Sequence, residues 1–245
     1  MRWLGHATVL MELGGVRLLT DPVLRSRILH IRRVAPPVDP AHHAELDAVL
    51  VSHLHRDHLD VPSLRRLERE TTRLVVPAGT GRLAARQGFE SVAELSPGQQ
   101  LRIGDAVVQA VPAVHDGGRN PLGMKVQPLG YLVEGAGVRV YFAGDTDLFD
   151  AMADLGELDL ALLPVWGWGP SLGGGHLDPA GAARALTLLR TRVAVPIHWG
   201  TLFPGLRNDR RARLTDPPHE FAREAARVAP GVEVRVLAPG EATGV

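Results

Sequence analysis

The chain has 245 residues with 27 basic and 27 acidic side chains, so its formal net charge is zero and no global field recruits nucleic acid or an anionic membrane. It contains no cysteine, which removes disulfides, thiolate metal sites, iron–sulfur clusters and cysteine nucleophiles together; any metal must be held by His, Asp and Glu. The length suits one domain over residues 1–245, and the lack of a signal-peptide pattern or of an apolar run of about 18 residues leads us to expect a soluble cytoplasmic protein.

In chain order, the first element is a hairpin, "VLMELGGVRLLTD", with Gly14-Gly15 as its turn. Short valine- and leucine-rich runs then read as strands: "DAVLVS", "RLVVP", "DAVVQAVPAV", "LGYLVEG", "VRVYFAGD", "LDLALLP", "VAVPIHW" and "VEVRVLAP". Between them lie helical segments: "VPSLRRLERE" with proline in its first turn, "TGRLAARQG", "DLFDAMADLGEL", "DPAGAARALTLLR" behind an Asp-Pro cap signal, and "PPHEFAREAARVAPG". Residues 34–40, 117–130, 164–179 and 202–218 read as loops, with no fixed-period repeat and no flexible linker. Strands alternating with helices imply a layered α/β domain.

The densest chemistry lies in "VSHLHRDHLD", residues 51–60. His53 and His55 follow a predicted strand at a spacing that points both side chains to one side, and Asp57 and His58 come where the chain turns into a helix. A hydrolytic metal needs neutral imidazoles and carboxylates with one position left for water, and this set can serve two adjacent ions. Three further positions repeat the pattern of a polar residue just beyond an apolar strand: His115, Asp145 and His198. Alone, His198 has an ordinary reading as a core histidine and Asp145 as a turn or cap residue; together with the cluster they point to one site at the strand ends.

"SHLHRDHLD" resembles the HxHxDH signature of the metallo-β-lactamase superfamily, and His115, the aspartate of "AGDTD" and the histidine of "PIHWGT" match its other ligand motifs in order. The resemblance implies a four-layer αββα sandwich with two mixed sheets. It implies His53, His55 and His115 as ligands of a first metal, Asp57, His58 and His198 as ligands of a second, and Asp145 as the bridge. "WLGHATVLMELGGVRLLTDPVL", "GYLVEGAGVRVYFAGDT" and "HLDPAGAARAL" are similar to the branch that contains L-ascorbate-6-phosphate lactonase and N-acylphosphatidylethanolamine-hydrolysing phospholipase D.

Around this set, Asp21 in "LLTDP" is expected either to hold a ligand histidine or to form an Asp-Pro turn. His6 reads as a packed, hydrogen-bonded histidine, in a stretch that borders the site in the resembled branch. His176 precedes the Asp178-Pro179 helix start, where it is expected to contact substrate or protonate a leaving group, with Trp166 and Trp168 as an apolar wall. Arg25, Arg27, Arg32 and Arg33 read first as a solvated face and only second as phosphate binders, since arginine pervades a chain whose one lysine is Lys125. Asp60 reads as an N-terminal helix residue outside the ligand pattern.

The expected activity is hydrolysis of an ester-type bond, phosphodiester or lactone/carboxylic ester, in a small-molecule or lipid-like substrate. Two divalent ions, zinc first with manganese or iron as alternatives, would activate a bridging hydroxide that Asp57 and Asp145 orient. The competing classes are a compact iron-dependent oxidoreductase of dioxygenase type and a metallo-nuclease, the latter disfavoured by the neutral charge.

Overall fold

The computed structural model describes residues 1–117, 125–167, 174–203 and 214–245. Its strands form two large sheets and one small one. Strands β1 (Arg2–Gly5), β2 (Thr8–Leu13), β3 (Val16–Thr20), β6 (Ala48–Leu50), β7 (Arg73–Pro77) and β8 (Ser91–Leu95) form the first sheet in that order. The second runs β16 (Glu233–Val234), β14 (Arg190–Ile197), β13 (Glu157–Pro164), β12 (Val138–Phe142), β11 (Leu129–Gly135), β10 (Ala106–Pro112) and β9 (Gln100–Ile103). A small sheet joins β15 (Leu202–Phe203) to β5 (Ile31–Arg33) and β4 (Arg27–Ile28). Both large sheets are mixed: β3, β6, β7 and β8 run parallel, as do β12, β13, β14 and β16, while the remaining neighbours are antiparallel.

The two-residue periodicity of a strand assigns each apolar side chain of the first sheet to one of two cores. Val9, Met11, Leu18, Ala48, Leu50 and Val75 face the second sheet, in a cluster with Val108, Tyr131, Val133 and Tyr141. Their immediate neighbours Leu10, Leu19, Val49, Leu74 and Val76 point the other way, onto Leu64 of helix α1 (Val61–Leu64) and Ala84 of helix α2 (Gly81–Ala85). On the far side of the second sheet, helices α3 (Pro179–Leu188) and α4 (Asp216–Val228) pack together and on β14 through Ala182, Ala185, Leu186, Phe221 and Ala225. The result is the four-layer αββα sandwich. Among the described residues, no helix is long and apolar enough to cross a membrane.

The Gly14-Gly15 turn joins β2 to β3 with Leu13 paired to Val16, and both glycines take positive φ (59° and 86°), which the two-residue hairpin requires. Elsewhere the structure corrects the sequence reading. The helix expected over 61–70 is one turn long, because after Leu64 the chain closes through three-residue turns from Arg66 to Ser63 and from Leu67 to Leu64. The helix expected over 147–158 is a 3₁₀ segment, Asp150–Leu155, stopped by Gly156 at φ 77°. Strands β1, β4, β5, β8, β9 and β15 were not expected; all are short, and most pair at sheet edges or in the small sheet, where alternation is weakly imposed. The loop expected at 202–218 begins as β15 and ends in α4, while the strand expected at "VEVRVLAP" is limited to Glu233–Val234.

Candidate metal centre

All the polar clusters identified at strand ends meet at one end of the sandwich. His53, His55, Asp57 and His58 lie in the loop between β6 and α1, which is tied to both sheets: Ser52 N–H donates to Asp21 Oδ1 (2.7 Å) and Leu129 N–H to the Ser52 carbonyl (2.9 Å). His53 and His55 stand beyond the end of β6, not within it, and a turn closes from Leu59 N–H to the His55 carbonyl (2.8 Å). His115 follows β10, Asp145 follows β12 and His198 follows β14. Asp145 enters the site because Gly144 bends the chain at φ 62°; a Cβ there would lie 2.8 Å from Ser52 Cβ and 2.9 Å from the Leu129 carbonyl oxygen.

The donor atoms face one another across short gaps. His55 Nδ1 and His115 Nε2 are 3.1 Å apart, with the His53 ring 4.6 Å from each of those rings. On the other side, His58 Nε2 is 3.2 Å from His198 Nε2, 3.2 Å from Asp145 Oδ2 and 3.7 Å from Asp57 Oδ2. His198 Nε2 is 3.2 Å from Asp145 Oδ1, so the two oxygens of Asp145 face different partners. His53, His55 and His115 form one group able to hold a cation, and Asp57, His58 and His198 belong to another, with Asp145 reaching His58 and His53 on one side and His115 and His176 on the other.

The outer hydrogen bonds determine which nitrogens are available. Asp21 Oδ2 accepts from Ser52 Oγ (2.6 Å) and from His58 Nδ1 (2.7 Å). Because the Ser52 hydroxyl is committed to Asp21, its oxygen accepts from His53 Nδ1 (2.9 Å). His115 Nδ1 donates to the Gly175 carbonyl (2.7 Å) and His198 Nδ1 to the Trp166 carbonyl (2.5 Å). In their neutral form these four rings therefore keep the proton on Nδ1 and turn the Nε2 lone pair inward, the arrangement a metal-bound imidazole needs. Asp21 is fully buried and fixes His58 directly and His53 through Ser52.

This arrangement fits a bound cation on evidence of its own. His53 Nε2 and Asp145 Oδ1 are buried and accept no hydrogen bond among the described residues, although orphaned acceptors of this kind are costly. Burial opposes ionisation of Asp145 and Asp57, yet the charges of His198 and His58 hold Asp145 well below the usual carboxylate range, and the charge of His58 with the hydrogen bond to His6 does the same for Asp57. Burial also opposes charge on His58 and His198, but Asp145 raises both above the ordinary histidine value. Burial pushes His53 and His55 down, and His115 down to about 4, so that half of the site presents neutral imidazoles.

The remaining expected residues separate clearly. His176 Nε2 lies 3.6 Å from Asp145 Oδ2, its ring 4.6 Å from that of His115, and burial lowers its pKa. Its side chain is 22 % exposed and that of Asp57 20 %, whereas His58 and His198 are closed off, so His176 and Asp57 line the mouth. Asp178 caps α3 by accepting from Gly181 N–H (2.6 Å), which sets the chain direction at His176. Trp166 is partly buried against the inter-sheet core, and its contribution to the site is its carbonyl; Trp168 lies outside the described residues. Asp60 caps α1 and takes a forked ion pair from Arg25, with contacts between 2.9 and 3.2 Å. Arg33 donates to the carbonyls of Leu4, Val23 and Pro36, while Arg27 and Arg32 are exposed and face each other across β4 and β5. Two of the four arginines are therefore structural.

The sequence reading underestimated His6. It sits at the two-residue turn between β1 and β2 at φ 54°, only 2 % exposed, with Nε2 3.1 Å from Asp57 Oδ2 and its ring centroid 4.0 Å from that of His198. It is indeed packed and hydrogen bonded, as expected, but inside the site; burial and the His198 charge push its pKa down to about 3. The signal available in advance was its place in a tight turn at a strand end.

Comparison with known proteins agrees with this geometry. Residues 16–199 match the family model described as a beta-lactamase superfamily domain. The chain is 36 % identical to a UPF0173 metal-dependent hydrolase of Methanopyrus kandleri, over 98 % of this chain and 96 % of that one. A UPF0173 metal-dependent hydrolase of Deinococcus radiodurans is 35 % identical over 99 % and 98 % of the two chains. Among solved structures, Igni18, a metallo hydrolase from Ignicoccus hospitalis, superposes with a TM-score of 0.72 at 25 % identity, covering 98 % of this chain and 95 % of that one. The diiron β-hydroxylase CmlA of Streptomyces venezuelae shares the fold alone, with a TM-score of 0.75 at 19 % identity, over 96 % of this chain and 52 % of that one. Extended likeness in sequence and fold, around a buried His/Asp cluster, places the chain in the metallo-β-lactamase superfamily, as a UPF0173-type metal-dependent hydrolase.

Proposed function

We propose that the chain hydrolyses an ester-type bond, phosphodiester or lactone/carboxylic ester, in a small-molecule or lipid-like substrate at a dinuclear centre. The observation that carries this reading is the inward-facing donor set: His53, His55 and His115 on one side, Asp57, His58 and His198 on the other, and Asp145 between them. When bound, two divalent cations, zinc first with manganese or iron as alternatives, supply Lewis acidity and a water of lowered pKa.

The protein's own part is to hold and aim. Asp145 turns one oxygen toward His198 and the other toward His58, with His115 4.0 Å from the latter oxygen, so its carboxylate spans both halves. Asp57, at the mouth and held by His6, has an oxygen placed to accept a proton from an attacking water and to set its direction. Burial lowers the pKa of His176, and its ring is exposed on one edge, where it can contact the leaving group and, after taking up the proton released by the attacking water, pass it on. Burial of His53, His58 and His198 keeps bulk water from the donors' inner side.

The test is metal analysis of freshly purified protein, then a screen of phosphodiesters, phosphomonoesters and lactones with Asp57→Ala as the control. Two equivalents of metal and at least a hundredfold loss in Asp57→Ala are expected, in line with removal of a positioned acid–base group. Equal turnover in variant and parent refutes the mechanism, and oxygen consumption in place of hydrolysis moves the protein to the oxidoreductase class.

A further inference from the structure

The half of the site that Asp57, His58 and His198 face contains a fourth donor that the motif comparison does not assign. His6, Asp57, His58 and His198 present one ligand atom each, all within 4.8 Å of one another, and His6 is as buried as the two histidines beside it. Its Nε2 lies 3.1 Å from Asp57 Oδ2, a separation comparable to the 3.2 Å between the facing nitrogens of His58 and His198.

The backbone around His6 is built to hold the ring there. Six non-glycine residues have positive φ among those described, and three of them, His6 (54°), Asp21 (34°) and His198 (64°), are at this site. Each such residue is strained and persists only where surrounding structure enforces it. At His6 the enforcement is visible: its N–H donates to Thr201 Oγ1 (2.6 Å), and its carbonyl accepts from His198 N–H (2.9 Å) and Trp3 Nε1 (2.9 Å). Trp3 in turn stacks on Trp199 at 4.8 Å. The turn that carries His6 is therefore fastened to the segment that carries His198, and the two rings are set as one unit.

We infer that His6 is a further protein ligand of the second cation, so that three imidazoles and the Asp57 carboxylate, drawn from the β1–β2 turn, the β6–α1 loop and the end of β14, close that half of the site. The two cations then have unequal protein shells, with the second held by one more donor than the HxHxDH pattern provides. This rests on the dinuclear reading above.

The test compares wild type with His6→Gln by titrating Co(II) into chelator-treated protein, following stoichiometry by calorimetry and the cobalt d–d absorption. Glutamine retains an amide donor for Asp57 but is a poor replacement for an imidazole ligand. Wild type is expected to take two equivalents. His6→Gln is expected to take the first normally and the second at least tenfold more weakly, with altered absorption. Two equivalents in His6→Gln with wild-type affinity and spectrum would mean that His6 only orients Asp57, and would overturn the inference while leaving the dinuclear reading intact. Fewer than two equivalents in wild type overturns both. A second measurement needs no variant: in a structure of the metal-loaded wild-type protein, His6 Nε2 is expected about 2.1 Å from the second cation, as for an imidazole ligand. A separation beyond bonding reach refutes ligation.

Discussion

Replacing Asp21 by asparagine changes one oxygen to an amide and leaves volume and shape almost untouched, yet it should disable both halves of the metal centre. Asp21 accepts three hydrogen bonds in full burial: Ser52 N–H at 2.7 Å, Ser52 Oγ at 2.6 Å and His58 Nδ1 at 2.7 Å. If the asparagine oxygen keeps the Ser52 N–H, its NH₂ must face His58 Nδ1. That nitrogen can accept only when the ring proton moves to Nε2, where it blocks the lone pair now 3.2 Å from both His198 and Asp145. The same amide disturbs the Ser52 hydroxyl that orients His53. Loss of an outer partner of this kind lowers metal affinity roughly 10–100-fold, or about 1.4–2.7 kcal/mol. The lost charged hydrogen bonds cost the metal-free protein about 1.5–3 kcal/mol each. Competition with a chromogenic chelator measures the first effect and thermal melting of the apoprotein the second. Ser52→Ala provides the internal comparison: it removes the hydroxyl that links Asp21 to His53 but leaves the direct Asp21–His58 hydrogen bond, so on the proposed dinuclear reading it should weaken the first cation more than the second. Wild-type affinity for both cations in Asp21→Asn would refute the tautomer argument.

Two further outcomes follow from the geometry. Gly144→Ala forces a side chain into positive φ and against Ser52 and Leu129; a loss of about 1–3 kcal/mol in unfolding free energy and a displaced Asp145, seen as weaker binding of both metals, are expected. Unchanged chelator competition in that variant would show that the Asp145 segment relaxes freely. The metal-free protein should also lose stability as pH falls from 6.5 towards 4. His6 (about 3) and His115 (about 4) have folded pKa values below the unfolded 6.5, so the unfolded chain takes up protons first across that window. His58 and His198, whose folded values are raised, contribute stability that is fully present below 6.5, and the depressed carboxylates Asp57 and Asp145 stay ionised in both states down to about 4, so none of these reverses the slope. Melting temperatures that stay flat over pH 6.5–4 would contradict the buried neutral histidines.

Legibility varied with how local the cause was. The hairpin at Gly14-Gly15, the cap at Asp178 and the helix N-terminus at Asp60 are decided within a few residues, and the structure has them where the sequence implied. The helix expected at 147–158 became 3₁₀, and the edge strands were not seen, because those segments take their form from what they pack against. His115, Asp145 and His198 were visible as polar residues after apolar strands; β12 and β14 run the same way, and β10, antiparallel to β11 as β11 is to β12, shares their direction, so all three strands deliver their ends to one edge.

In the sequence by itself the HxHxDH cluster and the polar residues His115, Asp145 and His198 after apolar strands were legible, because spacing and strand ends are local features, while their reading as one ligand set came from the family resemblance. Only the tertiary structure decided the proton positions and the roles of the supporting groups. Asp21 reaches His58 and, through Ser52, His53; the Trp166 and Gly175 carbonyls orient His198 and His115; and the β1–β2 turn brings His6 against Asp57. These are contacts between segments far apart in the chain, made by backbone carbonyls as often as by side chains. A carbonyl carries no residue identity, so no sequence pattern could have marked them.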